Sequence, residues 1–151
     1  MKWLLYFGIL MAVILCPTEG TDVGKLIPVE VVAVSEAEGW ITISADTGDM
    51  GNGMTMQAAI DDMKASAPGI IYLDTAEYLL LEKGMESYLN TAERHLKQKT
   101  HLCYIEEGIP LEAAANFLSV HKPKVTLKTV GDYSMIPMIT EEMGRYHLVE
   151  K

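Results

Sequence analysis

The chain has 151 residues, which is the length of about one domain. Hydrophobic residues make up 49% and charged residues 22%, close to ordinary globular usage, so disorder and low complexity are excluded as descriptions of the whole chain. Twelve basic residues against 21 acidic ones give a net charge of −9, which repels phosphate backbones and argues against nucleic acid as a partner.

The first twenty residues have the pattern of a secretory signal. Residues 4–16 form an uncharged apolar run that is shorter than the roughly 20 residues of a membrane-spanning helix. Thr18 and Gly20 supply small residues for cleavage after Gly20. We expect residues 1–20 to be a signal peptide, with lipidation at Cys16 and an uncleaved anchor as alternatives. The protein would then be extracytoplasmic, either secreted or attached to the outer face of the cytoplasmic membrane through this segment.

Hydrophobic periodicity next predicts a hairpin and a helix. Residues 29–34 and 41–45 alternate around a turn at 36–39, which is typical of two antiparallel strands. The glycine-rich stretch 46–53 follows as a loop, and Thr55 is the expected N-cap of a helix. This helix has an apolar stripe at helical spacing, formed by Met56, Ala59, Ile60 and Met63.

Two apolar runs and a second helix come next. Residues 70–73 and 78–81 are continuous apolar runs, typical of strands that are covered on both faces. Gly84 opens a helix whose apolar side comprises Met85, Tyr88, Leu89, Ala92 and Leu96.

The chain then predicts another strand, a third helix and an edge strand. Residues 102–105 form the apolar strand, and Pro110 suits the first turn of a helix that carries Leu111, Ala114, Ala115 and Leu118. Residues 125–130 alternate as an edge strand would.

These elements together predict one α/β domain over residues 21–130. We expect a mixed β-sheet with about three helices packed mainly on one face. Residues 131–151 form a less regular tail, with a poorly ordered connection near 131–142 and a last strand indicated at 146–149.

The two cysteines predict no disulfide within the mature chain. Cys16 lies in the signal segment, so only Cys103 would remain after cleavage. Cys103 stands in an apolar run, and we expect it to be buried. On a strand it would share a face with His101, which leaves a Cys/His pair or two zinc ligands as the alternative.

The acidic loop between the hairpin and the first helix is the candidate metal site. Asp46, Asp49 and Asn52 offer oxygen ligands, and Ca²⁺ takes about six to eight of them. Their spacing differs from that of an EF-hand loop, and a turn that uses Asp, Asn and Gly explains the same residues. We expect a turn and no cofactor, with a calcium-stabilised binding domain as an alternative.

The same loop contains a protease-like tripeptide. Asp46-Thr47-Gly48 matches the Asp-Thr-Gly of aspartic proteases, in which two carboxylates share a proton, and Asp74-Thr75-Ala76 is a degenerate second copy. Those proteases place the loop in an all-β barrel, whereas a helix is predicted shortly after it here. A small hydrolase using Asp46, Asp49 or Asp74 therefore remains an alternative, and we assign no catalytic residue.

Short motifs between residues 29 and 118 carry a family resemblance. They are Gly53-Met54-Thr55, Ser66-Ala67-Pro68, Ile71-Tyr72-Leu73, Tyr78-Leu79-Leu80-Leu81-Glu82, Gly84, Ala113-Ala114-Ala115 and Phe117-Leu118. In content and order they resemble the N-terminal domain of the C-subunit lipoproteins of bacterial spore germinant receptors. The resemblance implies an extracytoplasmic, non-enzymatic module beside a membrane complex. That family's lipidated cysteine corresponds to Cys16, whose neighbours depart from the pattern.

Two tetrapeptides also resemble segments of small uncharacterised exported proteins of Firmicutes. They are Asp46-Thr47-Gly48-Asp49 and Leu73-Asp74-Thr75-Ala76. The sequence as a whole therefore predicts an exported, non-catalytic module that binds a protein or cell-envelope partner. Germination or sporulation is the process that the resemblance implies. The alternatives are the small carboxylate-using hydrolase and the calcium-stabilised binding domain.

Overall fold

The computed structural model describes Met11 and residues 23–150. The expected signal peptide, residues 1–20, lies outside the described residues apart from Met11, and so does the candidate lipidation site Cys16. None of the helices in the described part of the chain has the length and hydropathy of a membrane span.

The described residues form nine β-strands and three longer helical segments. The strands are β1 Leu26–Pro28, β2 Val31–Ala37, β3 Trp40–Ala45, β4 Met50–Gly53, β5 Ile70–Tyr72, β6 Tyr78–Leu81, β7 His101–Ile105, β8 Met138–Glu142 and β9 Arg145–Val149. The α-helices are α1 Met56–Ser66, α2 Leu89–Ala92 and α3 Leu111–Val120. Short 3₁₀ turns lie at Val23–Lys25, Leu73–Thr75, Glu86–Tyr88 and Tyr133–Met135.

Seven of the strands form one mixed sheet in the order β4-β3-β2-β6-β7-β8-β9. Strands β2, β6, β7 and β8 run parallel at its centre. Antiparallel pairs extend the sheet at both ends, through β3 and β4 on one side and β9 on the other. Strands β1 and β5 form a separate parallel pair. The predicted α/β fold with a mixed sheet is therefore confirmed.

The central strand β6 is buried on both faces. Leu79 and Leu81 belong to the core under α1 and α2, whereas Tyr78 and Leu80 belong to the core under α3. All four are at most 1% exposed. Two of the three helices thus cover one face of the sheet, and the third covers the other.

The first hairpin and the first helix form where periodicity predicts them. Glu38 and Gly39 have φ angles of 52° and 79°, which gives the two-residue turn that suits the twist of paired strands. Thr55 caps α1, because its Oγ1 accepts a hydrogen bond from the Ala58 N–H at 3.1 Å. The predicted stripe of α1 is buried: Met56, Ala59, Ile60 and Met63.

The glycine-rich stretch 46–53 is not a loop throughout, because its last four residues form β4. A Cβ on Gly53 would lie 2.6 Å from the Ala59 nitrogen and 2.7 Å from the Ala58 Cβ. Glycine here allows the backbone of α1 to approach the strand, a role that composition alone does not distinguish from a loop.

Two further elements differ from the prediction in extent. Strand β5 was expected to be covered on both faces, but Ile70 is 45% and Tyr72 is 41% exposed because β5 lies outside the main sheet. Helix α2 is shorter than predicted and follows a 3₁₀ turn. The prediction of which side chains face the core is confirmed. Tyr88 is partly buried against this core, and the other four side chains are buried: Met85, Leu89, Ala92 and Leu96.

The predicted edge strand at 125–130 is wrong. Only an isolated bridge between His101 and Thr126 is formed there. The Thr129 and Val130 N–H groups donate to the Thr126 carbonyl at 3.0 and 2.9 Å, which closes a turn. The Thr126 N–H donates in return to the Thr129 hydroxyl. Threonine side chains that bond to nearby backbone favour such turns over strands.

The expected poorly ordered connection near 131–142 is also wrong, because it contains β8. Strand β8 lies between β7 and β9 in the sheet. Met143 and Gly144, with φ angles of 51° and 74°, form a second two-residue turn. Strand β9 then covers the segment 146–149, where the sequence indicates a last strand.

Candidate functional site

An apolar groove lies on the face of the sheet that carries α1 and α2, above strands β7, β8 and β9. Helix α1 packs over β3 and β4 at the far side of the sheet, so it does not cover this end. The groove has a volume of about 270 Å³. We call it the β8–β9 groove, and its walls are Lys83, Glu86, Tyr104, Tyr133, Ser134, Ile136, Met138, Thr140 and Val149.

Strand pairing brings distant parts of the chain to this groove. Met138 pairs with Tyr104 on one side and with Val149 on the other. Because side chains alternate along a strand, Met138 and Thr140 face the groove while Ile139 enters the opposite core. Three neighbouring strands thus contribute one wall.

The 3₁₀ turn Tyr133–Met135 forms the facing wall. The Asp132 carboxylate accepts a hydrogen bond from the Ser134 N–H at 2.9 Å, which fixes the start of this turn. Ile136 is buried directly after it. The turn is therefore anchored at both ends.

The rim of the groove presents apolar side chains to solvent. Tyr133 is 48% and Val149 is 46% exposed, and both line the groove. Exposed apolar side chains around a groove are typical of an interaction site on a folded domain.

One polar pair lies inside the apolar wall. The Tyr104 hydroxyl donates a hydrogen bond to Glu86 Oε1, and the Gly84 N–H donates to the same oxygen at 3.3 Å. The Tyr104 hydrogen bond lowers the pKa of Glu86. Burial, followed by the hydrogen bond to Glu86, raises the pKa of Tyr104 well above its usual range. At neutral pH the pair is therefore a carboxylate and a neutral phenol, which can orient a ligand.

A second polar group in the groove has no partner. The Thr140 hydroxyl is buried and forms no hydrogen bond with any described residue. Buried polar groups in native proteins are nearly always hydrogen-bonded. A bound molecule that reaches Thr140 would satisfy this hydroxyl.

The groove also borders an open edge of the sheet. Strand β9 is the last strand in the sheet order. No backbone hydrogen bond from the described residues covers its outer side. An uncovered edge offers a row of donors and acceptors to another strand.

The residues predicted as metal candidates have separate roles. The Asp46 carboxylate accepts from the Glu30 N–H at 3.1 and 3.3 Å, which ties the loop to the start of β2. Asp49 accepts from a threonine hydroxyl two residues earlier at 2.6 Å, and Asn52 accepts from a threonine hydroxyl of β3 at 2.7 Å. Within the described part of the chain, no group of three His, Cys, Asp or Glu side chains is arranged to hold a metal ion.

Cys103 is buried, as the sequence predicts. It is 0% exposed, its thiol donates to the Tyr104 carbonyl at 3.3 Å, and burial raises its pKa to about 12. A protonated, buried thiol is a poor nucleophile and a poor metal ligand. His101 lies on the same face of β7 as Cys103, and its ring packs at a tilt against that of Tyr78, with ring centroids 5.8 Å apart. Asp74, the remaining hydrolase candidate, lies in the turn Leu73–Thr75.

None of the groove residues belongs to a sequence motif. Tyr133 lies in a 3₁₀ turn, Met138 begins the unpredicted strand β8, and Val149 ends the strand that the sequence indicates at 146–149. The usable signal is Gly144, which with Met143 separates two short alternating segments as a hairpin turn would.

Comparison with known proteins gives no match: no family model, no curated protein and no solved structure is similar to the chain. The function is therefore argued from the geometry of the groove.

Proposed function

We propose that the chain is an exported, non-catalytic module that binds a partner protein. An extended segment of the partner adds to the edge of β9 and inserts an apolar side chain into the β8–β9 groove. The observation that carries this proposal is the position of an exposed apolar groove directly beside an open strand edge.

Strand addition explains why the groove and the edge coincide. In this mode of recognition the main chain supplies hydrogen bonds, and pockets beside the edge select alternate side chains. Val149 belongs both to β9 and to the groove wall. A strand paired with β9 would therefore carry side chains over the groove.

The groove has room for an apolar side chain. Its volume of about 270 Å³ lies near the lower end of the range of roughly 300–1,000 Å³ that is usual for small-molecule pockets. The Tyr104 ring and Met138 offer contact to an aliphatic or aromatic group.

Charge indicates the composition of the partner segment. The net charge of −9 attracts basic partners and accelerates their association. Within the groove, the ionised carboxylate of Glu86 is offset by Lys83 on the same wall, so the attraction comes from the chain as a whole. We therefore expect the segment to contain an apolar residue with Lys or Arg nearby.

A displayed peptide library tests the proposal. The full-length chain should select peptides that combine an aromatic or branched apolar residue with basic neighbours. Val149→Asp should weaken their binding at least about tenfold, because it places a charge on the apolar wall. Tyr133→Ala should weaken binding through lost contact area. Trp40→Ala is the matched control, since Trp40 is 50% exposed on β3 at the opposite side of the sheet.

Two outcomes of this selection would contradict the proposal. In the first, the selected peptides bind Val149→Asp and Tyr133→Ala as tightly as they bind the parent chain. In the second, no peptide is selected above background.

Export is a separate part of the proposal and rests on the apolar residues 4–16 with Thr18 and Gly20 after them. Intact-mass measurement of the exported protein should show Thr21 as the first residue. A diacylglycerol adduct on Cys16 would show lipoprotein processing instead, and an unprocessed Met1 would show an uncleaved anchor.

The resemblance to germinant-receptor subunits adds a proposed setting. If it holds, the partner belongs to a membrane complex of germination or sporulation. Location of the gene within a germination or sporulation cluster would support that setting, and location elsewhere would contradict it without affecting the groove.

A further inference from the structure

A second pocket lies at the opposite end of the parallel strands, where β6 and β7 begin. Its volume is about 410 Å³, and its walls are mostly polar. Asp74 and Glu77 lie on the β6 side, and Lys97, Lys99 and His101 lie on the β7 side, with Lys122 after α3. The volume falls in the usual range of small-molecule pockets, roughly 300–1,000 Å³.

The segment that carries two of the lysines is held in place. The buried Thr100 donates its hydroxyl hydrogen bond to the Ala76 carbonyl at 2.9 Å. The His101 N–H donates to the Glu77 carbonyl at 2.7 Å. The pocket walls on β6 and β7 are therefore fixed relative to each other.

The walls of this pocket carry a small excess of positive charge, three lysines against Asp74 and Glu77, in a chain that is otherwise acidic. Three of the 12 basic residues line this pocket, although the net charge is −9. Lys122 forms an ion pair with Glu77 at 3.1 Å. Among the described residues, Lys97 and Lys99 have no ion-pair partner.

One buried polar atom of the pocket wall has no partner, because His101 Nδ1 forms no hydrogen bond with any described residue. The neighbouring Tyr78 hydroxyl lies outside the pocket wall and interacts with the Lys122 ammonium group. Tyr78 is 1% exposed, pairs with His101 across β6 and β7, and has Lys122 Nζ 5.9 Å from its ring centroid. A buried polar atom without a hydrogen bond lowers the stability of the fold, so the unpaired His101 Nδ1 requires an explanation.

We infer that this pocket binds a small molecule through an oxyanion group, either a phosphate or a carboxylate. Lys97, Lys99 and Lys122 supply the charge. His101 Nδ1, in the tautomer that carries the ring hydrogen on this nitrogen, supplies a directed donor.

The remaining chemistry of the pocket fits this ligand class. Charge-assisted hydrogen bonds from the lysine ammonium groups to an oxyanion are about twice as strong as neutral ones. Asp74 and Glu77 would repel a bare anion but would accept hydrogen bonds from hydroxyl groups of a larger ligand. We therefore expect an oxyanion on a hydroxylated molecule to bind more tightly than inorganic phosphate.

Thermal melting of the full-length chain tests the inference. Inorganic phosphate should raise Tm more than chloride at equal ionic strength, and the rise should grow with the logarithm of the phosphate concentration above Kd. Citrate, tested in the same way, distinguishes a preference for carboxylate from one for phosphate. The Lys97→Ala/Lys99→Ala double variant should bind at least about tenfold more weakly. Arg145→Ala, which removes a charge from the distant β9 strand, is the matched control.

His101→Phe separates a binding role from a structural one. Because it removes an unsatisfied buried ring nitrogen, it should melt at the parent temperature or higher without ligand, yet bind the preferred oxyanion about tenfold more weakly. Absence of any shift beyond that of chloride, for both phosphate and citrate, would overturn the inference. A shift that persists unchanged in the double variant and in His101→Phe would overturn it as well.

Discussion

Gly51 of β4 lies directly against Ala59 of α1, so that a Cβ at position 51 would meet the Ala59 carbonyl oxygen and would lie 2.7 Å from Met63 Cβ. The helix and the strand can approach this closely only because position 51 has no side chain. Gly51→Ala should therefore destabilise the domain by on the order of 3 kcal/mol or more, since helix backbone must move.

The control for this prediction is Gly131→Ala. A Cβ at Gly131 would meet nothing within 4 Å, so this change should leave the free energy of unfolding nearly unchanged. Urea melts of both variants provide the comparison. Equal stability of the two would show that α1 is not packed on β4 as described.

The packing of α2 gives a second prediction. Leu89 is the first residue of this helix and is 3% exposed. Leu89→Ala should lower the free energy of unfolding by about 2–5 kcal/mol, because it leaves a buried cavity. Leu80→Ala, on the opposite face of β6, should cost a similar amount. Glu93→Ala should cost only a few tenths of a kcal/mol, because Glu93 is exposed. A Glu93→Ala effect as large as that of Leu89→Ala would contradict the assigned helix face.

The Tyr104 hydrogen bond to Glu86 gives a prediction about pH. This bond lowers the pKa of Glu86 from its usual 4.5, so its stabilising effect is present above that value and is lost as pH falls through the folded-state pKa. Tyr104→Phe should lower the free energy of unfolding by about 1 kcal/mol at neutral pH. The difference from the parent chain should shrink in acid.

Urea melts at a series of pH values check this, with Tyr72→Phe as the control because Tyr72 lies exposed on β5. A Tyr104→Phe difference that stays constant into acid would show that the Glu86 carboxylate is not its source.

The buried thiol gives a fourth prediction. Because burial raises the pKa of Cys103 to about 12, iodoacetamide at mildly alkaline pH should not alkylate it in the folded protein. Peptide mapping by mass spectrometry should find the peptide with Cys103 modified only after urea unfolding. Rapid modification of Cys103 without urea would contradict its position in the core.

The sequence predicts those parts of the fold that have long or strongly periodic patterns. The stripe on α1 and the continuous apolar run of β6 identify a core on both sides of the sheet, and Thr55 identifies the start of α1. These features depend on residues close together in sequence. The requirement for glycine at position 51 could not be predicted in this way. It arises from the packing of α1 against β4, which residues close together in sequence do not reveal.

The groove could not be predicted because it depends on pairing between distant segments. Tyr104 and Met138 become neighbours only when β8 joins β7 after α3 and a long connection. The sequence indicates a strand at 146–149, but nothing in it indicates that β8 joins β7 or that β9 pairs with β8. The second pocket has the same origin, since Glu77, Lys97 and Lys122 come from three separate segments.

Amide hydrogen exchange of the full-length chain, with and without a peptide selected on it, tests the central claim most directly. Strand addition should protect amides of Arg145–Val149, whose outer edge is open in the sheet, and should leave the other edge strand, Met50–Gly53, unchanged. Protection of β4 with no change in β9, or binding without protection of either edge, would contradict recognition at the β8–β9 groove.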